Sequence, residues 1–160
     1  MPTIHLQTII KSSIQICFDL SRSIDLHKIS TSHTKEEAID GCISGLIGLN
    51  EFVTWQAVHF GVKQKLTTKI TAFESPYYFC DEQVRGIFKM MKHDHYFKEK
   101  DGFIIMNDTF TFESPWGILG KLANKLFLTR YMTELLQKRN QSIKEFAETD
   151  QWKSILLQYP

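Results

Sequence analysis

Apolar and polar residues alternate through most of the stretch between Glu51 and Glu113, with turn residues at short spacing. That pattern predicts a meander of strands. Glu51–Phe60 and Val62–Glu74 flank Gly61. Pairing across a Phe60-Gly61 turn sets Trp55 opposite Leu66 and Val53 opposite Thr68. Alternation puts Val62, Leu66, Ile70 and Ala72 on one face of the second strand. Lys63, Lys65 and Lys69 fall on the other face, solvated and resistant to sheet stacking. Pro76 ends that strand. Tyr77–Arg85 forms the next, with Phe79, Asp81 and Gln83 inward, and Gly86 hinges it to Ile87–Glu99.

Asp101-Gly102 sits between two alternating segments, the signature of a two-residue hairpin. Such a turn fixes the register. Phe97 faces Met106, His93 faces Phe110, Met91 faces Phe112 and His95 faces Asp108. All eight share one face. Lys92, Asp94, Lys98, Asn107, Thr109 and Thr111 take the other. The first face is therefore the inner one, and His95 and Asp108 are polar groups on an apolar wall. A buried Asp needs a partner, and a cross-strand His supplies one. The plainest reading is a satisfied core pair. A second is a pair that orients the polar group of a bound ligand. A metal site using His93 and His95 is the sharpest reading, but no third ligand besides Asp108 is evident. A catalytic dyad lacks an identifiable nucleophile.

Helical patterns lie at both ends. Thr3–Ile10 reads as a first strand. Ser13 caps a short helix over Ile14–Leu20 with Cys17, Phe18 and Leu20 inward. Ser21–Ile29 continues as a second, burying Ile24, Leu26 and Ile29. His33–Asp40 is a polar strand near an edge. The glycines of GCISGLIGLN, Gly41–Asn50, suggest a bent connection; a phosphate loop would need a GK[ST] ending and a following helix. Ser114–Ala147 reads as one long helix, roughly 40–45 Å at 1.5 Å per residue. Its apolar residues fall on two arcs: Ile118, Leu119, Leu122, Ala123, Leu126 and Phe127, then Leu128, Met132, Leu135, Leu136, Ile143 and Phe146. A single core predicts one stripe, so the helix kinks near Leu128–Arg130 or its first half is apolar on two sides.

The 160 residues suffice for one domain with a real core. A net charge of +1 gives no strong pull toward nucleic acid or membrane. Twelve Phe point to an aromatic interior or an aromatic-lined cavity. Cys17, Cys42 and Cys80 are three, far apart and without CxxC spacing. That disfavours a disulfide framework or zinc site, and reduced thiols suit a cytoplasmic protein. No signal peptide or membrane-spanning run is evident. No cofactor is expected.

The order is strand, two short helices, strand meander and long C-terminal helix. The segments that carry a resemblance are GLNEFVTWQAVHFGVKQKLTTKITAFESP at Gly48–Pro76, YFCDEQVRGIFKMMKHDHYF at Tyr78–Phe97, and DGF…MNDTFTFESPWGILGKLA through Ala123. The chain resembles the START-like, or SRPBCC, superfamily: lipid-transfer START domains, birch-pollen-type allergens and aromatic polyketide cyclases. It is similar to a small bacterial cytoplasmic subgroup. The resemblance covers about Thr3–Glu148. It implies an α+β helix-grip fold, with a curled antiparallel sheet of about seven strands around a long C-terminal helix. It further implies a cavity between them that binds a hydrophobic small molecule or lipid. Trp55, Leu66, Phe79, Met91, His93, His95, Met106, Asp108 and Phe110 would line the sheet side. Leu119, Leu122 and Leu126 would line the helix side. Residues 1–148 would form one ligand-binding domain and 149–160 a tail, amphipathic through Trp152, Ile155, Leu156 and Tyr159 or simply frayed.

Three functions follow as expectations. One is a carrier or sensor for a hydrophobic ligand. Another is a cyclase- or dehydratase-type enzyme using His95 and Asp108 as acid and base. The last is an interaction module acting through the tail. No stable membrane anchoring is expected, and the oligomeric state is open.

Overall fold

The computed structural model describes residues 1–115, 117, 122 and 124–158. Seven strands form one sheet: β1 (Thr3–Ile10), β2 (Glu37–Gly41), β3 (Phe52–His59), β4 (Val62–Glu74), β5 (Tyr78–Arg85), β6 (Met90–Lys100) and β7 (Phe103–Glu113). Every neighbouring pair is antiparallel, in the order β1-β7-β6-β5-β4-β3-β2. Between β1 and β2 run two short helices, α1 (Ile14–Ser21) and α2 (Ile24–Ser30). A π-helical turn at Asn124–Leu128 leads into the long helix α3 (Thr129–Glu148), and α4 (Trp152–Leu156) follows.

Local chemistry explains these elements. Ser13 and Ser23 accept the backbone N–H of Ile16 and Leu26, so each short helix starts with a side-chain cap. Both hairpin turns hold positive φ at their two central residues: 53° and 73° at Phe60-Gly61, 53° and 80° at Asp101-Gly102. Turns of that hand match the twist of the flanking strands. They lock Trp55 opposite Leu66 and His95 opposite Asp108, as the alternation predicts. The polar strand does lie at the edge, as β2, but it starts at Glu37, because Ser32–Thr34 form a 3-10 turn where the sequence predicts a strand from His33. The Gly-rich segment is a bent connection whose Gly45 carbonyl accepts the Ile24 N–H at 2.9 Å.

The core lies between the concave sheet face and the helices. Phe18 of α1 meets the rings of Phe73, Phe79 and Phe97 edge-on at 5.3, 5.5 and 5.5 Å. A second cluster joins Ile4, Phe88, Met91, Phe110, Phe112 and Leu136. α3 contributes Leu136, Ile143 and Ala147, and buries Arg139 and Asn140 along the same stripe.

Three further expectations change. Ala72 does not share the face of Ile70. An irregularity in the β4–β5 pairing between them sets Ala72 against Cys80, and Phe73 turns in to pair with Phe79. Ile29 is 49% exposed, because the helical repeat carries it away from the buried arc of Ile24, Leu26 and Ser30. The tail is not frayed: Ile155 joins the main core cluster, with Trp152 and Leu156 packed against it. Tyr159 lies outside the described residues. No helix among the described residues is long and apolar enough to cross a membrane.

Candidate functional site

A cavity of about 180 Å³ lies between the sheet and helices α2 and α3. Seven residues expected on its sheet wall are there: Trp55, Leu66, Phe79, Met91, His93, His95 and Phe110. Met106 and Asp108, also expected there, are fully buried behind the wall instead. Met106 sits in the main core cluster. On the helix side the wall is built by Met132, Leu135 and Leu136. Leu122, placed there from the sequence, is 53% exposed and does not reach the cavity. Leu119 lies outside the described residues, as does the side chain of Leu126.

At the β5–β6 part of the wall stands a polar cluster. Strand alternation puts His93 and His95 on one face two residues apart, their rings 3.8 Å between centroids. Asp81 of β5 pairs across from His93. Its Oδ1 lies 2.9 Å from His95 Nε2 and 4.0 Å from His93 Nδ1. From behind, Asp108 Oδ1 lies 2.9 Å from His93 Nε2 and 3.0 Å from His95 Nδ1. The first of these is a well-directed hydrogen bond. The second is out of line, and His95 Nδ1 has no hydrogen-bond partner. Phe79 stacks on His95 at 4.1 Å and fixes its ring plane.

The rear of the cluster belongs to α3. Asn140 Nδ2 donates to Asp108 Oδ2 at 2.7 Å. Arg139 Nη1 donates to Asn140 Oδ1 at 3.0 Å and lies 3.6 Å from Asp108. Arg139 Nη2 donates to the Ser21 carbonyl at 2.9 Å. Burial works against charge on Asp108. The hydrogen bond from His93 and the nearby imidazole of His95 outweigh it and hold this carboxyl well below the usual carboxylate range. Asp81 is lowered too: burial opposes it, and His95, His93 and Arg139 prevail. Burial, then the neighbouring His95, pushes His93 down to about 4, so its imidazole is neutral at pH 7.

A second polar group stands three strands away in sheet order, where β3 meets α2. His27 stacks on Trp55 at 4.2 Å and bonds Glu36 at 3.1 Å. His59, lowered by burial, shares a hydrogen bond with the Tyr131 hydroxyl at 2.6 Å. His27, Glu36 and His59 all line the cavity.

The sequence pairs His95 with Asp108 and turns Asp81 inward, and both placements are as observed. It misses Arg139, Asn140, Glu36 and His27. A signal does exist for the first two. Leu136, Arg139, Asn140 and Ile143 recur at helical spacing, so two polar residues interrupt a buried stripe.

No family model matches the sequence, and no curated protein does. Solved structures do match. The protein TTHA0849 from Thermus thermophilus superposes with a TM-score of 0.73 at 18% identity, covering 90% of this chain and 95% of that one. The major latex-like protein 151 of Panax ginseng gives 0.69 at 13% identity, covering 92% and 98%. Ara h 8.0201 gives 0.65 at 14% identity, covering 91% and 97%. At such identities the likeness is one of fold.

Proposed function

From the helix-grip fold of the START-like superfamily, which this chain has, we propose that the protein binds a compact hydrophobic small molecule, as a carrier or sensor. The observation that carries this reading is the cavity: an apolar chamber between sheet and long helix with polar side chains gathered at defined places on its wall. Its volume narrows the ligand. About 180 Å³ is slightly more than the roughly 150 Å³ cavity that holds one benzene. A single substituted ring fits that space, whereas a long acyl chain needs α3 to move. Asp81 and the neutral His93 favour a ligand with a hydrogen-bonding end directed at β5 and β6.

Mass spectrometry of the native protein as purified, followed by solvent extraction, tests this reading. A co-purifying apolar molecule built on one substituted ring is the expected result. The reading fails if nothing co-purifies and no small aromatic compound raises the melting temperature.

The acid–base reading has one supporting observation. Asp108 holds His93 Nε2 from behind, which leaves the ring's Nδ1 on the Asp81 side of the cavity wall. In His95, the base expected from the sequence, the nitrogen toward Asp81 is tied up in a 2.9 Å hydrogen bond, whereas in His93 it stands 4.0 Å from that carboxylate, so this reading moves the role to His93. Turnover of an enolisable cyclic substrate that survives His93→Gln would exclude it.

A further inference from the structure

We propose that Asp81, His93 and His95 form a binding site for a divalent first-row transition ion, zinc foremost, with coordination positions left open toward the cavity.

The three side chains offer two imidazole nitrogens and one carboxylate oxygen, all within 4.8 Å of one another. Metal–ligand bonds of about 2.0–2.2 Å bring tetrahedral ligand atoms to roughly 3.4 Å apart. The observed 2.9 and 4.0 Å separations from Asp81 Oδ1 bracket that value, and no ligand atom lies more than 4.8 Å from another, so small side-chain shifts bring the set together. All three residues sit on paired strands, which hold such positions more firmly than loops do.

The second layer fits a metal better than it fits a proton. A metal-binding imidazole turns one nitrogen to the ion and donates its other N–H to a carboxylate. His93 already has that arrangement, its Nε2 bonded to Asp108 Oδ1 at 2.9 Å; His95 Nδ1 lies 3.0 Å from the same oxygen but out of line, so its ring must turn to complete it. Without an ion, a neutral His95 cannot satisfy both of its carboxylates. Giving its proton to Asp81 through Nε2 leaves Nδ1 as a buried nitrogen without a hydrogen bond. An ion between Asp81 and the rings removes that conflict, because His95 then carries its proton on Nδ1, toward Asp108.

Charge points the same way. Asp81 and Asp108 are two carboxylates around one guanidinium, Arg139, so the cluster holds a net negative charge while both rings are neutral. A divalent ion reverses it. Two nitrogen ligands disfavour magnesium and calcium, which take oxygen, and suit zinc or iron(II). The open positions would receive water or the polar end of a cavity ligand.

The test uses the full chain after dialysis against a chelator, titrated with Co²⁺ and no organic ligand. The expected result is one Co²⁺ per chain, with the intense visible bands of a four- or five-coordinate site, displaced by Zn²⁺. Asp81→Asn should abolish those bands, and Asp108→Asn should weaken binding by about 10–100-fold. His5→Gln, on the edge strand β1 away from the cluster, should change nothing. Absence of the bands, or their persistence in a folded Asp81→Asn protein, overturns the proposal. Should that variant not fold, ring ¹⁵N signals of the parent protein decide. Shifts of His93 and His95 on adding Zn²⁺ support the site, and shifts confined to His5, His27 or His33 overturn it. Because the titration contains no organic ligand, its outcome is independent of whether the cavity binds one.

Discussion

Asn140 of the long helix donates to Asp108 of β7 across 2.7 Å, and this bond ties the helix to the floor of the sheet. Asn140→Ala leaves Asp108 Oδ2 without this donor and takes the acceptor from Arg139 Nη1, both buried. A hydrogen bond to a charged group contributes about 1.5–3 kcal/mol, and buried orphans add to the loss. We expect Asn140→Ala to lower the unfolding free energy by about 3 kcal/mol in urea titration. A variant within 0.5 kcal/mol or so of the parent would show that the contact does not bind helix to sheet.

Acid should destabilise the metal-free protein in two stages. The folded-state value of His93, about 4, lies below its ordinary 6.5. The unfolded chain therefore binds more protons in that interval. The contribution of neutral His93 is complete above about pH 6.5 and is lost as pH falls toward 4. At about 1.4 kcal/mol per unit it is on the order of 3 kcal/mol. Asp108 and Asp81 shift downward, so their contribution persists to lower pH and disappears as the acid titrates the folded carboxylates. Denaturant midpoints that stay level from pH 7 to pH 5 would contradict the first stage.

Phe18 is the hub of the aromatic core, with three rings around it. Phe18→Ala should cost about 3–5 kcal/mol, the range for large-to-small changes at fully buried aromatics. Ile155→Ala should cost about 2–4 kcal/mol, because this residue of α4 is 5% exposed and belongs to the same cluster. A deletion of Asp150–Pro160 would therefore report lost core packing before any lost partner. An Ile155→Ala protein with an unchanged melting temperature would return the tail to the status of an appendage.

The three thiols should differ in reactivity. Cys17 and Cys80 are buried, and burial pushes each up to about 12. Cys42 is raised as well, also by burial, but it is only partly covered. Alkylation of the native protein near pH 8, followed by peptide mapping, should label Cys42 first. Equal labelling of all three would mean that the core opens on the timescale of the reaction.

How much of this is legible in the sequence depends on how local each signal is. Asp101-Gly102 specifies its own turn, and the turn fixes every pair from Met91–Phe112 to Phe97–Met106. Alternation turns Asp81 inward, but its juxtaposition with His93 depends on the β5–β6 pairing. That pairing is set by a connection with no short turn signal. The irregularity between Ile70 and Ala72 leaves no mark in the alternation, so alternation alone puts Ala72 on the wrong face. Arg139 and Asn140 sit in a polar stretch and read as solvent-facing. Their spacing from Leu136 and Ile143 is the one hint that they turn inward, and the packed helix leaves them 7% and 3% exposed. The two apolar arcs of the C-terminal stretch are visible, while the π turn at Asn124–Leu128, which lies where they meet, is not.

That turn also makes the chain unusually sensitive to length at one place. A π turn takes about one residue more than an α turn over the same rise. Removing a single residue from Asn124–Leu128 would let the segment wind as ordinary α-helix into Thr129. The start of that segment would then turn by about 100° relative to the face that carries Leu136, Arg139 and Ile143. Substitutions there keep the spacing of the chain, and a one-residue deletion shifts the helical phase with which it enters Thr129. The five residues work as a phase adjuster, and their number matters more than their identity.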